Sequence, residues 1–301
     1  MAFALPPGGT DCHVHAFGDP AAFPFVAGRH YTPDLADADD LRAFLDGHGL
    51  DRVVVVQPST YGTDNRCTMD AVARLGGRAR AVVVVDAGID DAELAALHAA
   101  DARGVRLNLQ TGGQEDLRAT EALVEAFAGR LRGSGWHLQV YAAHGVLAAV
   151  GPVLARAGLP VVVDHFGLVG RRDTPFAEAT QAVERLVAGL GLYVKLSAPQ
   201  RAVADPEAAP ELAGLVRRLV RAAPERLLWG SDWPHSPSSR MPGSERTVQP
   251  FDRIDDALAL ERIAEWVGDG PAMRGILVDN PAALYGFGLT SPVSGFGQPR
   301  H

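Results

Sequence analysis

Two imidazoles one residue apart, His13 and His15 in the stretch Thr10-Asp11-Cys12-His13-Val14-His15, are the first groups in this chain that could share a reaction. In an extended strand, residues i and i+2 project from the same face, so both rings aim into one space while Val14 turns away. Imidazoles placed this way can move protons, stabilise a developing charge or hold a metal ion. Two later stretches, ending Asp164-His165 and Ser231-Asp232, read as strand ends that could bring a third imidazole and a carboxylate to the same place.

Positioning four such groups requires a rigid frame, and the patterning supplies one. Short runs rich in β-branched residues fall at Asp11–Phe17, Arg52–Ser59, Arg80–Asp86, Gly104–Leu109, His137–Ala142, Pro160–Gly167, Leu192–Ala198 and Arg226–Trp233. Helical spacing follows each, over Leu35–Gly47, Asn65–Leu75, Asp91–Ala102, Asp116–Gly129, Val146–Ala157, Phe176–Ala188, Pro206–Ala222 and Asp252–Trp266. Val53-Val54-Val55-Val56 is apolar on both faces, as a parallel strand covered by helices outside and side chains inside must be. Eight strand-helix units predict an α/β protein with a single (β/α)8 TIM barrel over 1–290. No G-x-G-x-x-G follows a strand to suggest a doubly wound sheet. The two longest βα connections, Gly18–Asp34 and Pro234–Pro250, are expected to be lids on the mouth. The tail 291–301, rich in Gly, Pro and Ser, is expected to be disordered or loosely packed across the barrel.

Polar residues at the C-terminal ends of barrel strands converge on one mouth. That rule selects His13, His15, Gln57, Ser59, Arg106, Asn108, Tyr141, Asp164, His165, Lys195, Ser197 and Asp232. Any one of them could be a satisfied structural hydrogen bond. As a set, three histidines beside a carboxylate would cost stability unless they serve a reaction.

The His-x-His, the Asp164-His165-Phe166-Gly167 stretch and Trp229-Gly230-Ser231-Asp232-Trp233-Pro234-His235 together resemble the amidohydrolase superfamily, in particular its amidohydrolase-related, lactone-acting branch. Further stretches resemble the 2-pyrone-4,6-dicarboxylate hydrolases: Arg29-His30-Tyr31-Thr32-Pro33, Gln57-Pro58-Ser59-Thr60-Tyr61-Gly62-Thr63-Asp64-Asn65, Gly104-Val105-Arg106-Leu107-Asn108 and Asp279-Asn280-Pro281. The resemblance implies that Asp232 is the catalytic base, that His13, His15 and His165 surround the scissile carbonyl, and that Arg106, Tyr141 and Arg201 bind substrate, with Ser59 and Thr63 more loosely. Two positions depart from it: Gly112 and Leu168 stand where that family has further arginines. Each Arg–carboxylate pair is a strong charge-assisted contact, so a lactone with fewer or differently placed carboxylates is expected.

Hydrolysis of such a ring needs a base to deprotonate water and donors aimed at the oxyanion. The same four residues, His13, His15, His165 and Asp232, also make a ligand set suited to zinc or manganese. Tyr141 occupies strand five, where a metal centre of the superfamily often has Lys, Glu or His, so the reading favours hydrolysis with no metal required. Other readings are a metal-dependent amidohydrolase or nonoxidative decarboxylase, a lactone isomerase, and a non-catalytic binder of sugar acids or lactones.

Composition excludes other classes. The 301 residues carry a formal charge of −8 with no basic run, which argues against nucleic acid and anionic membranes as partners. With two cysteines, no export signal and no 18-residue apolar stretch, a cytoplasmic protein is expected. Whether it forms a homo-oligomer is open.

Overall fold

The eight patterned runs form eight parallel strands: β1 (Thr10–Val14), β2 (Arg52–Val56), β3 (Ala79–Val83), β4 (Ala102–Asn108), β5 (His137–Tyr141), β6 (Val161–Val163), β7 (Tyr193–Ser197) and β8 (Leu227–Gly230). The computed structural model describes residues 3–109, 117–170, 175–203, 210–237 and 243–288. Each strand pairs with the next in sequence order, as at Thr10↔Arg52, Arg106↔Gln139 and Lys195↔Leu228. A parallel bridge between Val14 and Trp233 joins the last strand to the first. In that seam the His15 N–H donates to the Trp233 carbonyl at 2.8 Å, and the Asp232 N–H donates to the His13 carbonyl at 2.8 Å. The residues expected to do chemistry therefore lie on the line along which the barrel closes.

The period-2 reading of Val53–Val56 holds in space. Val53 and Val55 pack outward in the shell between strands and helices, while Val54 and Val56 join Cys12, Val82, Val162 and Leu228 inside the barrel. Leu284, Tyr285 and Phe287 complete that interior cluster. Around the strands lie α1 (Ala38–His48), α2 (Arg66–Leu75), α3 (Asp91–Ala99), α4 (Leu117–Leu131), α5 (His144–Arg156), α6 (Phe176–Glu184), α7 (Pro210–Ala222) and α8 (Asp256–Val267). The first starts three residues later than the apolar spacing suggested, because Asp37 caps it. The Asp37 side chain accepts from the Asp39 and Asp40 N–H groups, and Asp40 accepts from the Asp37 N–H in return.

Strand ends also differ from expectation. β6 stops at Val163 and β8 at Gly230, so Asp164, His165, Ser231 and Asp232 follow in turns. The reason is backbone geometry. His165 (φ 48°) and Asp232 (φ 72°) are left-handed, a conformation that no extended strand accommodates.

The two long connections contain short strands that the patterning did not show. Thr32–Pro33 and Val248–Gln249 pair in parallel, and the Thr32 hydroxyl donates to the Glu245 carbonyl at 2.7 Å. The loops after β1 and β8 are thereby tied to each other. Residues 110–116, 204–209, 238–242 and the tail 291–301 fall outside the described residues, which removes Gly112, the first residue of the fourth predicted helix and the start of the seventh from comparison. Among the described residues, no helix is long and apolar enough to cross a membrane.

Candidate active site

Closure of the barrel places one carboxylate oxygen among three imidazoles. Asp232 Oδ1 lies 3.7 Å from His13 Nε2, 3.5 Å from His15 Nε2 and 3.7 Å from His165 Nε2, with all four side chains buried or nearly so. Two local features permit the approach. Gly230 has no side chain where a Cβ would come within 2.7 Å of His13 Cβ and 2.8 Å of its nitrogen, so β8 can run hard against β1. Asp11 then holds the two strands together, its Oδ1 accepting from the His13 and Ser231 N–H groups at 3.0 Å each.

The other Asp232 oxygen, Oδ2, accepts from Arg201 Nε, and Arg201 Nη2 donates to the Ser236 carbonyl at 2.7 Å. Arg201 reaches the site from a single helical turn, Pro199–Ala202, which leaves β7 through Ala198 at φ 46°. Burial alone would raise the Asp232 carboxyl, but the Arg201 guanidinium and the imidazoles overcome it and hold the group well below the usual carboxylate range. Burial pushes His165 down to about 4, so its ring is neutral at pH 7. His15 Nδ1 lies 2.7 Å from the Val56 carbonyl, which can only accept. The Nδ1 therefore carries the proton, and in the neutral ring Nε2 keeps its lone pair. His165 Nδ1 meets the Ser197 hydroxyl at 2.9 Å, a partner that can give or take a proton.

Beneath the quartet lies a buried charged layer. Asp164 Oδ2 accepts from Gln139 Nε2 (3.1 Å) and from Arg106 Nη2 (3.2 Å) and Nε (3.4 Å). Lys195, fully buried, donates to Gln139 Oε1 at 2.7 Å and stands 3.2 Å from His13 Nδ1. Burial would raise Asp164, but the Lys195 and Arg106 cations beside it hold it well below its ordinary value. Burial and the Lys195 ammonium likewise push His13 well down, so its ring is neutral. Asp164 and Asp232 thus face the Arg106 and Arg201 guanidiniums and Lys195, whose ammonium burial pushes below its usual range.

The mouth opens into a cavity of about 40 Å³ lined by His15, His165, Asp232, Arg201, Arg106, Tyr141 and Ser59. Of the substrate contacts expected from the sequence, Ser59, Arg106, Tyr141 and Arg201 face it together. Thr63 does not, being exposed on the loop beyond Gly62. Arg106 spends three of its five N–H groups on Asp164 and the Gln57 carbonyl, and its guanidinium carbon sits 5.2 Å over the Tyr141 ring. Two lining residues, Tyr31 and Ser236, escaped the strand-end rule because they lie on the two long loops; their hydroxyls meet at 3.1 Å. Gln139 escaped it as well, since it sits inside β5 rather than at its end. Leu168 is fully buried, offering no charge where the resembled family has an arginine.

The amidohydrolase family model matches residues 10–287, the whole of the barrel just described. The chain belongs to the amidohydrolase family. It is 34% identical to the 2-pyrone-4,6-dicarboxylate hydrolase of Comamonas testosteroni over 94% of this chain and 92% of that protein. Against the 4-sulfomuconolactone hydrolase of Rhizobium radiobacter it is 33% identical over 95% and 92%. A probable 2-pyrone-4,6-dicarboxylic acid hydrolase from Acinetobacter baumannii, solved with citric acid bound, superposes with a TM-score of 0.72 at 26% identity, covering 93% of this chain and 100% of that one. These relatives are named as hydrolases of lactones, and this amidohydrolase is an enzyme of that class. An amidohydrolase from Burkholderia multivorans with bound zinc shares the fold, with a TM-score of 0.67 at 22% identity and coverage of 94% and 99%.

The donors of the amidohydrolase quartet bear on whether it suits a metal ion. His13, His15 and Asp232 bring one ligand atom each within 4.8 Å of one another, and so do His13, Asp164 and His165. The spacing is adequate and the His15 lone pair is correctly presented. Lys195 contacts His13 and Arg201 contacts Asp232, so two of the four would-be ligands already have basic side chains against them, which a dication would face. The two groups are thus spaced as metal ligands, with Lys195 and Arg201 standing against two of the four residues.

Proposed function

We propose that this enzyme hydrolyses an anionic lactone, with Asp232 as general base and an imidazole N–H beside it polarising the ring carbonyl. The single observation that carries this is the convergence of three Nε2 atoms, at 3.5–3.7 Å, on the same Asp232 oxygen. Asp232 takes a proton from water as the water oxygen bonds to the carbonyl carbon, and negative charge builds on the former carbonyl oxygen. A buried imidazole N–H facing that oxygen stabilises the charge, each such donor being worth about 3 kcal/mol. Collapse breaks the bond between the acyl carbon and the ring oxygen. The proton held by Asp232 then passes to the departing oxygen, leaving a carboxylate and an enol or alcohol. Each carboxyl oxygen has its part: Oδ1 handles the proton while Arg201 occupies Oδ2.

Arg106 and Arg201, both lining the mouth, support an anionic substrate. Arg201 spends two of its five N–H groups on Asp232 and Ser236, so both it and Arg106 keep donors for a substrate carboxylate, beside Tyr141 and Ser59. Buried Leu168 supports a substrate with fewer carboxylates than a pyrone dicarboxylate. A panel of pyrone, muconolactone and aldonolactone acids with their uncharged esters, followed by proton release and ultraviolet absorbance, tests the reading. The expected result is opening of a ring bearing at least one carboxylate, with a large preference over its ester. Rearrangement of the ring without uptake of water would replace hydrolysis by isomerisation, and turnover indifferent to substrate charge would remove the arginines from recognition.

A further inference from the structure

We propose that Lys195 is a positioning residue that fixes His13 as the Nε2–H tautomer and so makes it the oxyanion donor; this assignment rests on the lactone reading above. Lys195 is fully buried and meets three groups: it donates to Gln139 Oε1 at 2.7 Å, lies 3.2 Å from His13 Nδ1 and pairs with Asp164 Oδ1 at 3.5 Å. An ammonium carries three N–H groups and no lone pair, so it can only donate toward the groups it meets. The ring nitrogen that faces it must then accept.

The competing partner for His13 Nδ1 is Asp164 Oδ1 at 3.3 Å. That oxygen has no hydrogen bond among the described residues, whereas Oδ2 of the same carboxylate takes Gln139 and Arg106. We assign Nδ1 to Lys195, whose contact has hydrogen-bond geometry, over Asp164, whose contact is at ion-pair distance without it. With Nδ1 accepting from Lys195, the single proton of the neutral His13 sits on Nε2. This nitrogen is buried, has no hydrogen-bond partner among the described residues, and points toward the space beside Asp232 Oδ1, 3.7 Å away. A buried N–H without a partner is costly and rare, so one aimed into a reaction site marks where a ligand oxygen is to be received. The same proton covers the lone pair that a metal would need. On this account Lys195 accounts for a quartet spaced like a metal centre yet furnished as an oxyanion hole.

Long-range ¹H–¹⁵N correlation spectra of ¹⁵N-histidine-labelled protein report the tautomer directly, with the His13 signals identified by their loss in His13→Asn. Wild-type His13 should show a protonated Nε2 and a bare Nδ1; a protonated Nδ1 would overturn the proposal. In Lys195→Met the ring proton should move to Nδ1, toward Asp164, with kcat falling by about 10²–10³ and KM little changed. The freed Nε2 lone pair should also let this variant bind Co²⁺ at least about tenfold more tightly than wild type, read from the d–d absorption of the ion. Unchanged His13 shifts in the variant, or equal Co²⁺ affinity, would count against Lys195. Should Lys195→Met fail to fold, the wild-type spectrum decides alone. The two readings fail separately: an inactive lactone panel leaves the tautomer assignment standing, and an Nδ1–H spectrum leaves the lactonase assignment standing.

Discussion

Asp232 works under two opposed demands, and both can be tested at the level of single residues. As a base it must accept a proton, yet Arg201 holds its carboxyl well below the ordinary range. A substrate carboxylate that draws Arg201 away would relieve that hold in the bound complex, so recognition and activation meet in one guanidinium. Asp232→Asn should lower kcat by about 10²–10⁴ while melting close to wild type. Asparagine is the informative replacement because it tolerates the left-handed φ of 72° that alanine does not. Near-normal turnover would strike Asp232 from the mechanism. Arg201→Met should raise KM for a carboxylated lactone about tenfold or more. Without the cation, the Asp232 pKa rises, so the acid limb of the kcat/KM profile should move to higher pH. An unmoved limb would show that Arg201 does not set the state of Asp232.

Among the elements, the seam between β1 and β8 carries the most consequence. Its hydrogen bonds run through the backbones of His13, His15, Asp232 and Trp233, so strand pairing and site assembly are one event. Gly230 is where that seam is tightest. Gly230→Ala would put a Cβ at 2.7–2.8 Å from His13, and because those atoms belong to a paired strand they cannot swing aside. Overpacking of this kind costs about 1–3 kcal/mol, and here it also displaces an imidazole from Asp232. The expected outcome is a lowered melting temperature together with a loss in kcat larger than the loss of folded protein explains. Full activity in the folded variant would mean that the seam can open without harm. At the rim, the paired short strands and the Tyr31–Ser236 contact tie the described parts of the two long loops to each other.

Taken whole, the molecule keeps several titratable groups neutral by burial. His165 is pushed down to about 4, His137 to about 3, and His13 well below its usual range. Between pH 6.5 and about 4 these rings stay unprotonated in the folded chain but take up protons when unfolded, so folding stability should fall as pH drops through that window. Asp11 opposes the trend, since burial raises its carboxyl to about 7 and it gives up its proton more readily when unfolded. Three groups outweigh one, and the urea midpoint should shift downward from pH 7 to pH 5 by the equivalent of a few kcal/mol. A midpoint that holds steady would mean that the imidazoles titrate freely in the fold. The basic side chains set against His13 and Asp232 yield the last expectation: protein purified without added metal should contain clearly substoichiometric zinc and manganese, and a chelator should leave turnover intact. Stoichiometric metal whose removal abolishes activity would reverse the reading of the quartet.

Sequence alone determined the frame and most of the cast. The period-2 valine runs and the helical spacing between them repeat eight times, and a parallel sheet with both faces covered has few ways to close, so the barrel was legible from local pattern. His13, His15, His165 and Asp232 were legible for the same reason, because strand ends in such a barrel point to one mouth. Tertiary structure decided what each group does. Arg201 reads in sequence as a substrate contact, and only the turn at Ala198 sets it against Asp232. Gln139 sits inside a strand where pattern predicts packing, Lys195 reads only as one more residue of the mouth, and their meeting beside His13 depends on strands distant in sequence sharing one interior. Periodicity fixes which way a side chain faces. Which proton it carries depends on neighbours that only the closed barrel brings within 3 Å or so of it.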